Sequence, residues 1–407
     1  MMTADDATTR RAALIEELAR RDALHDPAVR AALLAIPRDR FLPDEPLERA
    51  YADDAIPTKF TPDGTAISSA SQPAIVALML EQLAIAPGMR VLEIGAGTGY
   101  NAALLRTLVG PTGHVTTMDI DTDITDAAMQ HLASISITDV DVITGDGAHG
   151  WAANAPYDRV ILTVNASDIA PAWFDQLTDG GILVLPLTVG PAQLSIAFER
   201  RGGVLSSRSL CPCGFMPLRG SMGDGATGSR PTTAAPGLRV RLTNATAHLA
   251  EQIAALLQTP PTPRDLPQVG AGWFYALAFT LATPGQSYIF ALVSSEDVRY
   301  GFVGDAYGLF DATGTSGCII GIPDSMDGRT IASVRTYGGA EAADWLTRVL
   351  DGWKAAGAPR PQAQHITAYP MRAPSIPSGG PVIDLPHWRL VVERPTTPST
   401  AAHIART

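Results

Sequence analysis

Apolar residues recur at helical spacing early in the chain, with Leu14, Ile15 and Leu18 between Arg11 and Arg20. A second such stretch runs from Pro27 to Ile36 and is ended by Pro37. Both predict helices, and a polar, proline-dotted loop is expected from about Asp44 to Thr65. In ISSASQPAIVALMLEQL, residues 67–83, Ile75, Val76, Met79, Leu80 and Leu83 again fall on one helical stripe. Pro73 suits the first helical position, where its missing N–H is no loss. Ser68, Ser69 and Ser71 crowd the entrance, although one hydroxyl would suffice as a cap.

From Arg90 the pattern changes to an alternation. RVLEIG, HVTTMD, VDVITGD, DRVILTV and GGILVLPL read as buried strands, while NAALLRTLV, ITDAAMQHLASI and APAWFDQL read as the helices among them. Strands separated by helices of this length predict βαβ units and a parallel sheet, hence an α/β fold. LSIAFER and GVLSSRSL, joined by Arg200 to Gly202, predict a closing hairpin.

Residues 220–237 are rich in Gly, Ser, Thr, Ala and Pro and have no large apolar side chain but Met222, which predicts a flexible linker between two domains, 1–219 and 238–394. The second domain reads as α/β or α+β. Helices are expected at Ala247–Leu257 and Ala342–Lys354, with strands at WFYALAFTL, YIFALVSS, HITAYP and HWRLVVER. Residues 395–407 are expected to form a disordered tail.

A length of 407 residues agrees with two domains, since single cores rarely grow so large. The formal net charge of −11 argues against nucleic acid, whose binding calls for a cationic footprint. No apolar run is long enough to span a bilayer, and the first residues, MMTADDATTRR, lack the apolar core of a signal peptide, so a cytoplasmic protein is expected. Three cysteines, Cys211, Cys213 and Cys318, give no disulfide framework, and neither they nor the scattered histidines predict a metal site.

The chemistry concentrates where the first parallel strand meets its helix, in Glu93-Ile94-Gly95-Ala96-Gly97-Thr98-Gly99-Tyr100. Glycines there let the backbone turn tightly and approach a ligand. Ligands of open α/β sheets bind at the carboxyl ends of the strands. The third glycine follows after one residue rather than two, and Tyr100 stands where a dinucleotide fingerprint needs Gly or Ala. This spacing suits S-adenosylmethionine, a cationic sulfonium without a pyrophosphate. Asp119, followed by Ile120 at the end of the second strand, is placed for ribose hydroxyls. Asp146, in Gly145-Asp146-Gly147-Ala148 after the third, is placed for an adenine amino group.

With Ala50-Tyr51-Ala52-Asp53, Ser71-Gln72-Pro73, VLEIGAGTGYNAALL, GDGAHGWAANAPYDRVILTV, GGILVLPL and Phe215-Met216-Pro217-Leu218, the first 220 residues or so resemble the protein L-isoaspartate O-methyltransferase family. The resemblance implies a Rossmann-like class I S-adenosylmethionine-dependent methyltransferase acting on a peptide or protein. It places Ser71 at the active site, with Ser69 beside it and Gln72 and Asn165 toward the substrate. The chain departs from the family in the longer approach KFTPDGTAISSAS, in Asn165-Ala166-Ser167, and in a region from about Gly237 that has no counterpart in the housekeeping enzymes. A longer subgroup resembles it more closely. Its members methylate an ordinary aspartate in ribosomal peptides (lanthipeptides, lasso peptides, graspetides), giving an aspartimide or isoaspartate.

That maturation activity is the favoured expectation, and repair of isoaspartyl damage is the alternative. The second domain is expected to help hold the peptide, or to mediate oligomerisation. A nicotinamide oxidoreductase and a non-catalytic cofactor-binding module are the rivals from other classes.

Overall fold

The protein is described by a computed structural model covering residues 4–223, 232–242, 247–269, 273–300, 302, 304–320, 331–373, 375–377 and 380–393. The chain forms two compact units. The first comprises Met1–Leu187, Gln193–Gly223 and Ala368–Pro370, and the second Thr188–Ala192, Asp224–Thr367 and Met371–Thr407.

The first unit opens with helices α1 (Ala4–Arg20), α2 (Pro27–Ala35) and the single turn α3 (Leu47–Ala50). Asp26 caps α2 by accepting from the amides of Ala28 and Val29, the local solution usual for an aspartate ahead of a proline-led helix. The stretch expected to be a loop up to Thr65 contains strand β1 (Ile56–Phe60), which pairs antiparallel with β2 (Ala66–Ala70). Ser68 and Ser69 are therefore strand residues, opposite Lys59 and Pro57, rather than part of a helix entrance. Helix α4 (Pro73–Leu83) follows with Pro73 in its first turn, and buries Val76, Met79, Leu80 and Leu83 as its spacing predicted.

The alternation then unfolds as read: β3 (Arg90–Ile94), α5 (Tyr100–Val109), β4 (His114–Asp119), α6 (Thr122–Ser134), β5 (Val140–Thr144), β6 (Tyr157–Leu162), α7 (Pro171–Asp175), β7 (Leu177–Val189), β8 (Ala192–Arg201) and β9 (Val204–Pro212). The spatial order is β5-β4-β3-β6-β7-β8-β9. Pairs β3–β4, β4–β5, β3–β6 and β6–β7 are parallel, while β8–β9 is the antiparallel hairpin. The chain steps outward from β3 to β5, then returns to place β6 on the other side of β3. Their carboxyl ends consequently part around a crevice, the switch point of a doubly wound sheet. Val91, Ile161 and Val184 of the sheet pack with Val76 and Leu80 of α4 and Leu104 of α5 in one core. Each such side chain contributes about 1.5–3 kcal/mol by leaving water.

In the second unit the strands are β10 (Thr232–Ala235), β11 (Leu238–Leu242), β12 (Thr262–Val269), β13 (Tyr288–Ser295), β14 (Gly304–Asp311), β15 (Ser316–Ile319) and β16 (Ile331–Gly338). They form a sheet in the order β10-β11-β13-β14-β15-β16-β12, with helices α8 (Ala247–Leu256), α9 (Trp273–Ala282) and α10 (Glu341–Ala355). Strands β17 (His365–Pro370), β18 (Val382–Asp384) and β19 (Trp388–Glu393) come last. WFYALAFTL, expected as a strand, is helix α9. Six of its residues are buried on several sides, and a continuous apolar run has no period by which to separate buried helix from strand. The segment read as a linker supplies β10, and its residues 224–231 lie outside the described residues, as does the tail 395–407.

Candidate active site

At the crevice the backbone leaves β3 and crosses the end of β6. Gly95 has φ +100°, and a Cβ there would stand 2.6 Å from Thr163 Oγ1. Glycine is required both for the conformation and for the close approach. The Thr163 hydroxyl donates to the Gly95 carbonyl at 2.6 Å, and the Gly95 and Ala96 amides both donate to the Met118 carbonyl at 2.8 Å. The turn is thus stitched to both neighbouring strands. Ala96 and Gly99 pack inward, and the Thr98 carbonyl accepts from His131 Nδ1 at 2.9 Å, which ties the turn to α6.

A cavity of about 560 Å³ opens beside this turn. It is lined by Ser68, Ser69, Ser71 and Gln72 on one side and by Gly95, Gly97, Asp119, Ile120 and Gly147 on another. Phe215, Met216, Pro217 and Leu218 form an apolar wall. Residues separated by some 150 positions therefore meet at one concave site, of a size suited to a small-molecule cofactor.

Asp119 accepts from the Gly97 amide at 3.1 Å, the Ile120 amide at 2.9 Å and the Asp121 amide at 3.5 Å. Burial pushes its carboxyl up, and these amides together with the Arg219 guanidinium oppose the shift. A carboxylate can accept about four hydrogen bonds, so Asp119 keeps acceptor capacity toward the cavity.

Two other acids behave differently from their expected roles. Glu93 is fully buried behind the turn and does not line the cavity; it accepts from Thr117 Oγ1 at 2.6 Å and Asn101 Nδ2 at 2.8 Å. Burial raises its carboxyl to about 7, with the two hydrogen bonds pulling the other way. It braces β3, β4 and α5 together. Asp146 turns its carboxylate to the amides of Ala148 at 3.0 Å and Ser221 at 2.7 Å. Burial opposes ionisation, but these amides outweigh it and hold the group below the usual carboxylate range. Gly147, not Asp146 or Ala148, faces the cavity.

The serines do not cap α4. Gln72 is the capping residue by position and its side chain makes no capping bond. The Ala74 amide instead donates to Asp53 Oδ1 at 2.9 Å, and Gln72 Nε2 donates to Asp53 Oδ2 at 3.2 Å. Asp53 thus caps from 21 residues away, and Ser69 and Ser71 are left facing the cavity. Asn165 is buried outside the lining; its amide donates to the Met216 carbonyl and its carbonyl accepts from the Leu218 amide, so it fixes the apolar wall. Sequence reasoning missed Asp53, Lys59, Asp121 and Arg219. Asp53 and Lys59 stand at the ends of quoted stretches, but their partners are remote in the chain.

A family model described as protein-L-isoaspartate(D-aspartate) O-methyltransferase matches residues 9–223. The chain belongs to this family. Among curated relatives, the protein-L-isoaspartate O-methyltransferase of Hyperthermus butylicus is 38% identical over 219 residues, covering 52% of this chain and 88% of that protein. That of Koribacter versatilis is 38% identical over 213 residues, covering 52% and 92%. The first unit is accordingly a class I S-adenosylmethionine-dependent carboxyl O-methyltransferase.

A solved protein-L-isoaspartate O-methyltransferase matches with a TM-score of 0.51 at 22% identity, over 88% of this chain and 96% of that one. This likeness of fold runs well past residue 223. Among the described residues no helix is long and apolar enough to cross a membrane, and no cluster of His, Cys, Asp or Glu is arranged to hold a metal ion.

Proposed function

We propose that the chain methylates the side-chain carboxylate of an isoaspartyl residue in a peptide or protein, the first step in returning it to aspartate. The observation that carries this reading is the cavity itself, whose lining joins Ser69 and Ser71 to Gly95, Gly97 and Asp119. The family model and the curated relatives support the repair reading over peptide maturation.

The cavity fits S-adenosylmethionine on three counts. Gly95 and Gly97 present backbone without a side chain to the cavity, Asp119 keeps acceptor capacity for a hydroxyl, and Ile120 and Met118 supply apolar surface. When bound, S-adenosylmethionine supplies an electrophilic methyl group on its sulfonium. The substrate carboxylate is already ionised near neutral pH, so no side chain need act as a base. The protein's tasks are alignment and exclusion of water. Ser71 and Ser69 hold and orient the carboxylate through their hydroxyls, and Phe215 to Leu218 keep the site dry. Once the ester exists, the next residue's amide nitrogen attacks it, methanol leaves, and a five-membered imide closes. Its hydrolysis yields aspartate and isoaspartate, and neither step needs the enzyme.

The test is to incubate the purified chain with S-adenosylmethionine and an isoaspartyl peptide, its aspartyl isomer serving as control. Mass spectrometry should record methyl gain on the isoaspartyl peptide, followed by methanol loss. Absence of methyl gain on that peptide would sink the proposal, and gain on the aspartyl isomer alone would restore the maturation reading.

A further inference from the structure

Asp121 stands at the N-cap of α6, where an aspartate ordinarily turns its carboxylate onto its own helix's amides. Here its side chain makes no capping bond. It faces two cations brought from distant parts of the chain. Lys59 Nζ donates to Asp121 Oδ2 at 2.7 Å and also to Asp123 Oδ1 at 2.7 Å. Arg219 is bidentate, with Nη1 on Oδ1 at 3.2 Å and Nη2 on Oδ2 at 2.8 Å, and its Nη2 lies 3.9 Å from Asp119 Oδ1.

The two cations come from segments that adjoin different parts of the cavity lining. Lys59 lies on β1 directly opposite Ser68, and the pairing register is irregular on both sides of it, as at a bulge that re-aims a side chain. Its partner strand β2 carries Ser68 and Ser69 and leads to Ser71. Arg219 follows the apolar wall from Phe215 to Leu218, which Asn165 holds at Met216 and Leu218 and Gln193 holds at Phe215. The Asp121 side chain is only 22% exposed, so both ion pairs are shielded from water on one side.

We propose that Asp121 is a positioning residue for the methyl transfer, fixing through Lys59 the hairpin that presents the substrate serines and through Arg219 the wall beside the methyl-donor site. One carboxylate thereby sets acceptor and donor sides relative to the same helix end. The proposal rests on the carboxyl-methylation reading for its kinetic consequences, but its mechanical claim stands without it.

Full-length protein carrying Lys59→Met, Asp121→Asn or both decides the matter. Hydrogen exchange should quicken across residues 66–70 alone in Lys59→Met. In Asp121→Asn it should quicken across both 66–70 and 215–221, less at the hairpin because Lys59 retains Asp123. Partly shielded ion pairs of this kind suggest about a threefold to tenfold rise in KM for the isoaspartyl peptide in Lys59→Met. S-adenosylhomocysteine affinity and kcat should stay within about twofold there, while Asp121→Asn should weaken S-adenosylhomocysteine as well. The double variant should raise KM by less than the product of the separate effects, the signature of a shared contact. Unchanged exchange at both segments in Asp121→Asn, or KM effects that simply multiply, overturns the proposal. If the parent chain does not methylate the peptide, the functional reading falls, and the exchange data alone still decide the role of Asp121.

Discussion

Replacing Asp53 by alanine separates the capping role from the substrate role at the start of α4. The Asp53 side chain is 9% exposed and accepts from the Ala74 amide, from Gln72 Nε2 and from Arg21 Nη1. Losing the bond to Ala74 removes an N-cap, worth about 1 kcal/mol. Losing the bond to Gln72 costs about 1 kcal/mol more. The charge near the helix N-terminus adds a few tenths, and the exposed Arg21 pair adds little. The sum is about 2 kcal/mol, or roughly 4–8 °C in melting temperature for a domain of this size.

The assay is calorimetry, following the transition that S-adenosylhomocysteine raises, since a ligand stabilises the unit that binds it. Ser69→Ala and Ser71→Ala, whose hydroxyls face the cavity, should shift that transition by less than about 0.5 kcal/mol. Their expected loss is in methylation rate, about tenfold or more for Ser71→Ala from misplacement of the carboxylate. The reasoning is refuted if Asp53→Ala melts with the parent, if Ser71→Ala melts as low as Asp53→Ala, or if Ser71→Ala turns over at the parent rate.

Two other changes test the turn and its brace. Gly95→Ala forces a Cβ to within 2.6 Å of Thr163 Oγ1 at φ +100°; strain of about 1–3 kcal/mol should weaken S-adenosylhomocysteine by about tenfold or more, and a titration within twofold of the parent would reject it. Gly64, also at positive φ but with nothing near its Cβ, is the control that should leave binding unchanged. Glu93 lies at about 7 in the folded chain against an ordinary 4.5. Between those values the unfolded chain releases a proton that the folded chain keeps, so stability falls as pH rises through that window and is level above it. The fall is on the order of 3 kcal/mol. Glu93→Gln removes this dependence, so its melting temperature relative to the parent should climb from about pH 5 to pH 8; a difference that stays constant would show that Glu93 does not titrate there.

The repeating part of the fold was legible because its signals are local. Buried strands, amphipathic α10 and proline-led α4 each declare themselves within a dozen residues, and the Gly95–Gly99 spacing marked the turn between β3 and α5. WFYALAFTL failed for the same reason in reverse, since an unbroken apolar run carries no period. The hairpin at Ile56–Ala70 was hidden by Pro57, Pro62 and a polar surface.

By itself the sequence determined where helices and strands alternate, where the glycine turn sits, and that serines and acids cluster near strand ends. Which polar group meets which partner was decided only in three dimensions. Asp53 took the capping role from the serines, Glu93 withdrew behind the turn to Asn101 and Thr117, Asp146 turned to Ser221, and Asp121 drew in Lys59 and Arg219. Hydrogen bonds and ion pairs form across whatever gap the packing closes, and the packing brings together residues that the linear chain holds far apart.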